Sequence, residues 1–189
     1  MRKILAAFIV IAFAGILPTA AMAATSQSIV ITISISSPVS VYVDNLTWDL
    51  TASSFDTSYT SSKYLVMNDG AVNETFKVQG ANSSTGNWTM AASTGTNQFA
   101  VEALIGDETA VAPANSNFDA SDILTAGSYI AASGTTSTLA DSGWSATYGY
   151  DVAPTATRSM YLRFRMPTSG YTSQAQIGSV TILISADSL

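Results

Sequence analysis

An uncharged segment with strict two-residue periodicity constrains the fold of this chain more than any other feature. Every second residue is an isoleucine, and the residues between them are Val30, Thr32 and Ser34. Alternation of β-branched residues predicts a β-strand. No charged residue occurs from Ala24 to Val43, and an edge strand of this composition would aggregate, so the strand must be paired. The isoleucines of this predicted strand are Ile29, Ile31, Ile33 and Ile35.

Two pairings of this strand are compatible with the sequence. The strand can pair inside its own domain, with a kink at Pro38 that carries the chain from one sheet to the other. Alternatively, residues 28–35 can pair with the next copy of the protein by strand addition. A head-to-tail contact of this kind does not close, so it would propagate into a filament.

The remaining chain also has the patterns of short strands. Alternation recurs at 39–50, and the turn-forming residues Asn68-Asp69-Gly70 separate two further strand patterns, which predicts a turn between two strands. No window combines helix-forming residues with a 3.6-residue period. We therefore expect an all-β fold, an antiparallel β-sandwich of about seven to ten strands. Residues 106–157 predict long loops, short strands and one helical turn near Asp119.

The segment from Ser159 to Met166 predicts a strand with one buried face. Its apolar residues alternate with Tyr161, Arg163 and Arg165, which are expected on the opposite, solvent-facing side. The apolar face is formed by Met160, Leu162, Phe164 and Met166.

Residues 1–23 have the features of a secretory signal peptide. Arg2 and Lys3 precede an apolar run from Ile4 to Leu17, and Ala21-Met22-Ala23 provides the small residues of a cleavage site. This predicts a single domain over residues 24–189, located outside the cytoplasm as a secreted, extracellular or cell-surface protein. No later segment is apolar for long enough to span a membrane.

Charge and composition exclude several classes of function. The chain has 13 acidic and 7 basic residues, so it is a poor candidate for nucleic acid, which is bound through phosphate neutralisation. Histidine and cysteine are both absent, which removes the usual base and the usual thiol nucleophile. The remaining lysines in strand patterns, Lys63 and Lys77, are typical of solvent-facing positions. We therefore expect a protein that is not an enzyme.

Residues 115–122 carry the pattern closest to a metal site. Oxygen-bearing side chains alternate there, as they do in loops that wrap calcium. An EF-hand is excluded because Ala120 and Ala126 occupy the positions of its glycine and bidentate glutamate. Two alternatives stay open, which are a generic calcium loop and a turn capped by its own side chains. The residues concerned are Asn115, Asn117, Asp119 and Asp122.

Tryptophan residues raise a second binding alternative. Trp88 and Trp144 follow polar, glycine-containing stretches, so exposed rings there could stack on sugars. Trp48 shares its period with Leu46 and Leu50, which indicates core packing. The possible partners are thus other copies of the chain or surface glycans.

Three segments resemble bacterial immunoglobulin-like domains. Residues 61–78 (SSKYLVMNDGAVNETFKV) resemble a strand pair joined by Asn-x-Gly, residues 152–166 (VAPTATRSMYLRFRM) a later turn and strand, and residues 176–186 (QIGSVTILISA) the closing strand. The overall layout distantly resembles camelysin/TasA-type fibre subunits. The resemblance implies a sandwich fold and a structural role, a self-associating subunit of an extracellular filament, matrix or surface layer. An adhesin or carbohydrate-binding module is the alternative.

Overall fold

The computed structural model describes residues 27–35, 39–52, 54–81, 87–133, 139, 148–170 and 179–189. The predicted signal peptide, Trp144 and the crossing residue Pro38 lie outside these ranges. Within them, regular structure is almost entirely β, with two short 3-10 turns, Asn115–Asn117 and Ala120–Asp122. Among the described residues, no helix is long and apolar enough to span a membrane. The prediction of an all-β fold is confirmed.

Eleven strands occur in the described ranges, and most of them lie where the period-two patterns predicted strands. They are β1 (Gln27–Ile35), β2 (Val41–Val43), β3 (Thr47–Ala52), β4 (Ser58–Thr60), β5 (Tyr64–Asn68), β6 (Glu74–Ala81), β7 (Thr89–Met90), β8 (Gln98–Asp107), β9 (Ile130–Ala131), β10 (Thr157–Arg165) and β11 (Ser179–Ser188).

The strands form two sheets. The first sheet has the order β3-β1-β11-β6-β9, with β1 and β11 in its interior. The second has the order β2-β5-β10-β8-β7, and β4 pairs with β10 beyond the end of β5. β1 and β2, which are adjacent in sequence, belong to different sheets.

A single apolar core lies between the sheets. Side chains from alternate positions of β1, β6 and β11 meet side chains from β5, β8 and β10. Phe99 and Phe164 stack with ring centroids 5.1 Å apart, which joins two neighbouring strands of the second sheet. The predicted apolar face of β10 is confirmed as part of this core through Met160, Leu162, Phe164 and, just beyond the strand, Met166.

The expectation of purely antiparallel sheets is wrong, because both sheets are mixed. β1 runs parallel to β11, with Val30 opposite Ser179 and Ile35 opposite Ile184. β7 also runs parallel to β8. Parallel neighbours need a long connection between them, and here β1 and β11 are separated by almost the whole chain. Periodicity within a strand reports its buried face but not the direction of its neighbour.

The predicted turn at Asn68-Asp69-Gly70 is present, but the strand pairing across it that the resemblance implies is wrong. β5 and β6, on either side of this turn, lie in different sheets and do not pair with each other. The Asn68 amide donates hydrogen bonds to the carbonyl oxygens of Val72 and Val152, both at 2.8 Å, and its own oxygen accepts one from the Gly70 amide. These bonds fix a wide turn that carries the chain across the core.

The core packing predicts a large difference between two apolar truncations. Replacing Phe164 with Ala removes a fully buried ring and its stacking on Phe99, so it should lower the free energy of unfolding by about 3–5 kcal/mol. Urea denaturation of both proteins measures this loss. Val111, which is 80% exposed, provides the control, and Val111→Ala should change stability by less than about 0.5 kcal/mol. Equal effects of the two substitutions would contradict the described core.

Candidate functional site

The first strand lies in the interior of its sheet rather than at an edge. β1 pairs with β3 on one side, antiparallel, and with β11 on the other. Ile29, Ile31 and Ile33 point into the core and are buried, whereas Ile35, at the end of the strand, is 40% exposed. In the chain by itself the strand therefore has the intradomain pairing.

β1 fills the space between β3 and β11, which do not pair with each other. Both rows of its backbone polar groups are available to adjacent strands, and the amide of Ile33 donates to the carbonyl of Leu46 at 2.9 Å. Among the described strands, the outermost members of this sheet are β3 and β9. Without β1, the facing edges of β3 and β11 would be unpaired, and the core under the three isoleucines would be open to water.

The loop at 115–122 uses its polar side chains to cap its own two turns. Asn117 accepts a hydrogen bond from the Ala114 amide, and Asp119 accepts from the amide and hydroxyl of Ser121, both at 2.6 Å. Asp122 accepts from the Asp119 amide at 2.8 Å. These contacts favour the capped-turn alternative over the calcium alternative, and they confirm a helical turn near Asp119. Asn115 contributes its backbone carbonyl to another contact.

That contact is with Arg163, whose guanidinium holds the loop against the second sheet. It donates to the carbonyl oxygens of Asn115 and Phe118 and to the carboxylate of Glu102. It also lies over the Phe118 ring, 4.5 Å from its centre. The positive charge of this guanidinium lies on the side of the loop that faces the sheet, and it disfavours the binding of a metal cation there.

The prediction of a solvent-facing second side for β10 is wrong. Tyr161 and Arg163 are buried, because residues 108–125 cover this face. Phe118 forms a small apolar cluster there with Leu104 and Tyr161, and burial raises the pKa of the Tyr161 phenol. Arg165 is half-buried and approaches Glu102 at 3.4 Å. Arg163 thus holds the covering loop through hydrogen bonds, and both Arg163 and Arg165 contact the buried Glu102.

The expectation of an exposed Trp88 is wrong as well. Trp88 is 3% exposed and packs against Phe55, with ring centroids 5.9 Å apart. It directly precedes β7 and shares the buried side of the alternation with Met90, whereas Thr89 between them is exposed. The sugar-stacking alternative consequently depends on Trp144, which is outside the described residues, and on Trp48, which is half-buried.

The two lysines in strand patterns make ordinary surface contacts. Lys77 pairs with Asp187 and lies over the ring of Tyr129, 5.1 Å from its centre. Lys63 donates to the backbone carbonyl of Glu108 at 3.0 Å. In the described ranges, no three acidic, histidine or cysteine side chains come together as a metal-binding group.

Glu74, which the sequence analysis did not single out, is the most unusual polar residue of the fold. Its side chain is fully buried, and neither carboxylate oxygen makes a hydrogen bond of ordinary geometry. Burial raises the pKa of Glu74, the backbone of Ser40 lowers it, and the negative charge of Asp69 raises it further. Its position was available from the pattern, since Glu74 is two residues before the buried Phe76 on the same face of β6.

No protein-family model matches the chain, and no curated protein or solved structure matches it either. Its function must therefore be inferred from the chemistry and geometry of its own residues.

The buried ion pair leads to a stability prediction. Replacing Arg163 with Met leaves the Glu102 carboxylate buried without its main partner, so unfolding should become easier by about 3 kcal/mol. The loop at 115–118 should also lose protection in amide hydrogen exchange, because its anchoring bonds are gone. Lys63→Met, which removes an exposed lysine, serves as the control. It should change the free energy of unfolding by less than about 0.5 kcal/mol and should leave the amide-exchange protection of residues 115–118 unchanged. A stable, protected Arg163→Met protein would contradict this role.

The buried carboxylate leads to a prediction about pH. A folded-state pKa above the ordinary value of 4.5 means that Glu74 favours folding when protonated and opposes it when ionised. At pH values above 4.5, the Glu74→Gln protein should therefore melt at a higher temperature than the parent protein. The buffer contains a chelator, so that no metal ion offsets the negative charge of Glu74. The difference should shrink as the pH falls below 4.5, where both proteins carry a neutral group. Thermal unfolding at pH 3.5 to 8 measures it, and a constant difference would contradict the assignment.

Proposed function

We propose that the protein is a secreted, non-enzymatic structural subunit that associates with further copies of itself into an extracellular filament, matrix or surface layer. The element that links the copies is β1, inserted between β3 and β11 of the next subunit. The observation that carries the proposal is the position of β1. An uncharged first strand lies between β3 and β11, whereas β2, the strand that follows it in sequence, belongs to the other sheet.

Energetics support strand exchange because the contacts are the same in either arrangement. A β1 strand from a second copy would make the same backbone hydrogen bonds and bury the same three isoleucines as the strand of the chain itself. Each buried isoleucine contributes about 1.5–3 kcal/mol, so a subunit whose groove between β3 and β11 is empty has a strong drive to acquire a strand. Only the path of the crossing residues differs between the closed monomer and the linked chain.

Geometry supports an open assembly rather than a closed pair. The donated strand and the receiving groove are different surfaces, so each subunit that donates its own strand presents a groove for another. Repetition of this head-to-tail contact gives a linear polymer.

The finer description of the fold belongs to the same proposal. We infer an immunoglobulin-like sandwich, supported by two packed sheets and by first and second strands in opposite sheets. The likeness to camelysin/TasA-type fibre subunits and the secretory signal in residues 1–23 stay predictions.

Deletion of residues 24–36 tests this function. The shortened chain should form no regular fibres, because it has no strand to donate, while the full mature chain forms regular fibres visible by negative-stain electron microscopy. The deleted protein should also bind a synthetic peptide of residues 27–35, since its groove is vacant.

The matched control keeps β1 and alters its outward face. Thr32→Ala, on the face away from the core, should assemble like the parent protein. Unchanged assemblies after the deletion would show that strand donation is wrong, as would a mature chain that is dispersed under every assembly condition.

A further inference from the structure

The end of the sandwich near Glu74 brings together oxygen atoms from three parts of the chain. Asp69 lies in the turn after β5, and its carboxylate accepts a hydrogen bond from the Ser40 hydroxyl at 3.4 Å. The Asp69 amide donates to the Ser40 carbonyl at 2.7 Å. Glu74 begins β6 and forms two backbone hydrogen bonds with Val152. The result is a wide turn whose concave side faces a buried carboxylate.

Gly70 lets the backbone of this turn lie close against the Glu74 carboxylate. A side-chain carbon at this position would clash with Oε1 of Glu74 and would lie 3.1 Å from Oδ1 of Asn68. Two oxygen atoms therefore face the same point of the turn, and one of them belongs to a buried carboxylate that makes no hydrogen bond of ordinary geometry. An ionised carboxylate without compensation is costly inside a protein, and a bound cation is one of the few groups that removes that cost.

We propose that Asp69 and Glu74, together with the side-chain oxygen of Asn68, form a binding site for one calcium ion. The donors are all oxygen atoms, which is the chemistry that hard cations prefer. Calcium fits better than magnesium, because it accepts irregular sets of carboxylate, amide and water oxygens, whereas magnesium demands near-ideal octahedral geometry. Two carboxylates neutralise the charge of the ion, and water completes its coordination.

The site differs from the calcium pattern in the sequence at 115–122. In that loop the side-chain oxygens cap backbone amides and an arginine faces the loop from the sheet. At the turn after β5, no arginine or lysine of the described ranges forms an ion pair with Glu74, and the negative charge of Asp69 raises its pKa. Two neighbouring negative charges attract a cation and disfavour each other when the site is empty.

Calcium binding to the mature chain, after removal of metal by a chelator, tests the site. Isothermal titration with CaCl₂ should give one ion per chain, with a Kd of about 10⁻⁴ to 10⁻³ M, typical of extracellular sites with few charged ligands. At about ten times that concentration, the melting temperature should rise by roughly 3–6 °C. MgCl₂ at equal ionic strength should give a much smaller rise.

Three variants distinguish calcium binding at this site from weak binding to any acidic side chain of the chain. Asp69→Asn and Glu74→Gln should each weaken calcium binding about tenfold or more, since each removes a charged ligand. Asp56→Asn makes the same change in an exposed turn at the other end of β10 and should bind like the parent protein. Asp69 is exposed, so its variant keeps the test valid even if Glu74→Gln alters folding.

Several outcomes would overturn the site. Equal calcium affinity in the parent protein, Asp69→Asn and Glu74→Gln would place the ion elsewhere, and loss of binding in Asp119→Asn alone would place it at 115–122. Failure of the parent protein to bind calcium, with Glu74→Gln simply more stable, would mean that Glu74 is kept neutral by a proton. None of these measurements depends on self-association.

Discussion

Pairing of β1 on both sides is the interaction on which the rest of the structure depends. A strand in the interior of a sheet must have partners for its amides and carbonyls along both edges, and β1 finds them in β3 and β11. Through these partners it connects strands from near the two ends of the chain. The same strand supplies three buried isoleucines to the core between the sheets. Removal of this one element would therefore open a backbone groove and an apolar cavity together.

Charge is scarce, and the few internal charges have distinct structural uses. The Glu102–Arg163 pair, within the second sheet, is satisfied by a second arginine and by loop carbonyls, so it fastens the loop at 115–122. Glu74 is buried without comparable partners, at the opposite surface of the core and next to a negative Asp69. A satisfied buried pair fits a fixed structural contact, whereas an uncompensated carboxylate fits a site that takes a proton or a cation.

Sequence periodicity predicted the strands well, because burial of one face imposes a period of two wherever a strand packs on a core. It placed Ile29, Ile31 and Ile33, as well as Met160 and Leu162, on buried faces, and capping residues predicted the turn at Asp119. It could not predict the parallel pairing of β1 with β11, since a strand has the same period beside either neighbour. It also treated Arg163 as solvent-facing, because the loop that covers it has no periodicity of its own.

The candidate sites were harder to predict for a related reason. Asn115, Asn117, Asp119 and Asp122 have calcium-like spacing, but the same residue types cap turns, and only three-dimensional contacts distinguish the two uses. Glu74 has no distinctive spacing at all. Its importance comes from its burial beside Gly70 and Asp69, which the position of β6 in the first sheet determines.

Cross-linking between two single-cysteine variants tests the exchange of β1 most directly, because the chain has no cysteine of its own. Thr32 and Thr47 are opposite each other in β1 and β3, next to the hydrogen-bonded pair Ile33 and Leu46, so cysteines there are placed to form a disulfide. When Thr32→Cys and Thr47→Cys chains assemble together, exchange predicts a disulfide-linked dimer of the two. A Thr32→Cys and Thr75→Cys mixture, with the second cysteine on non-adjacent β6, should give none. If the double variant Thr32→Cys/Thr47→Cys closes only within single chains and the mixture yields no dimer, β1 stays in its own subunit and the account is contradicted.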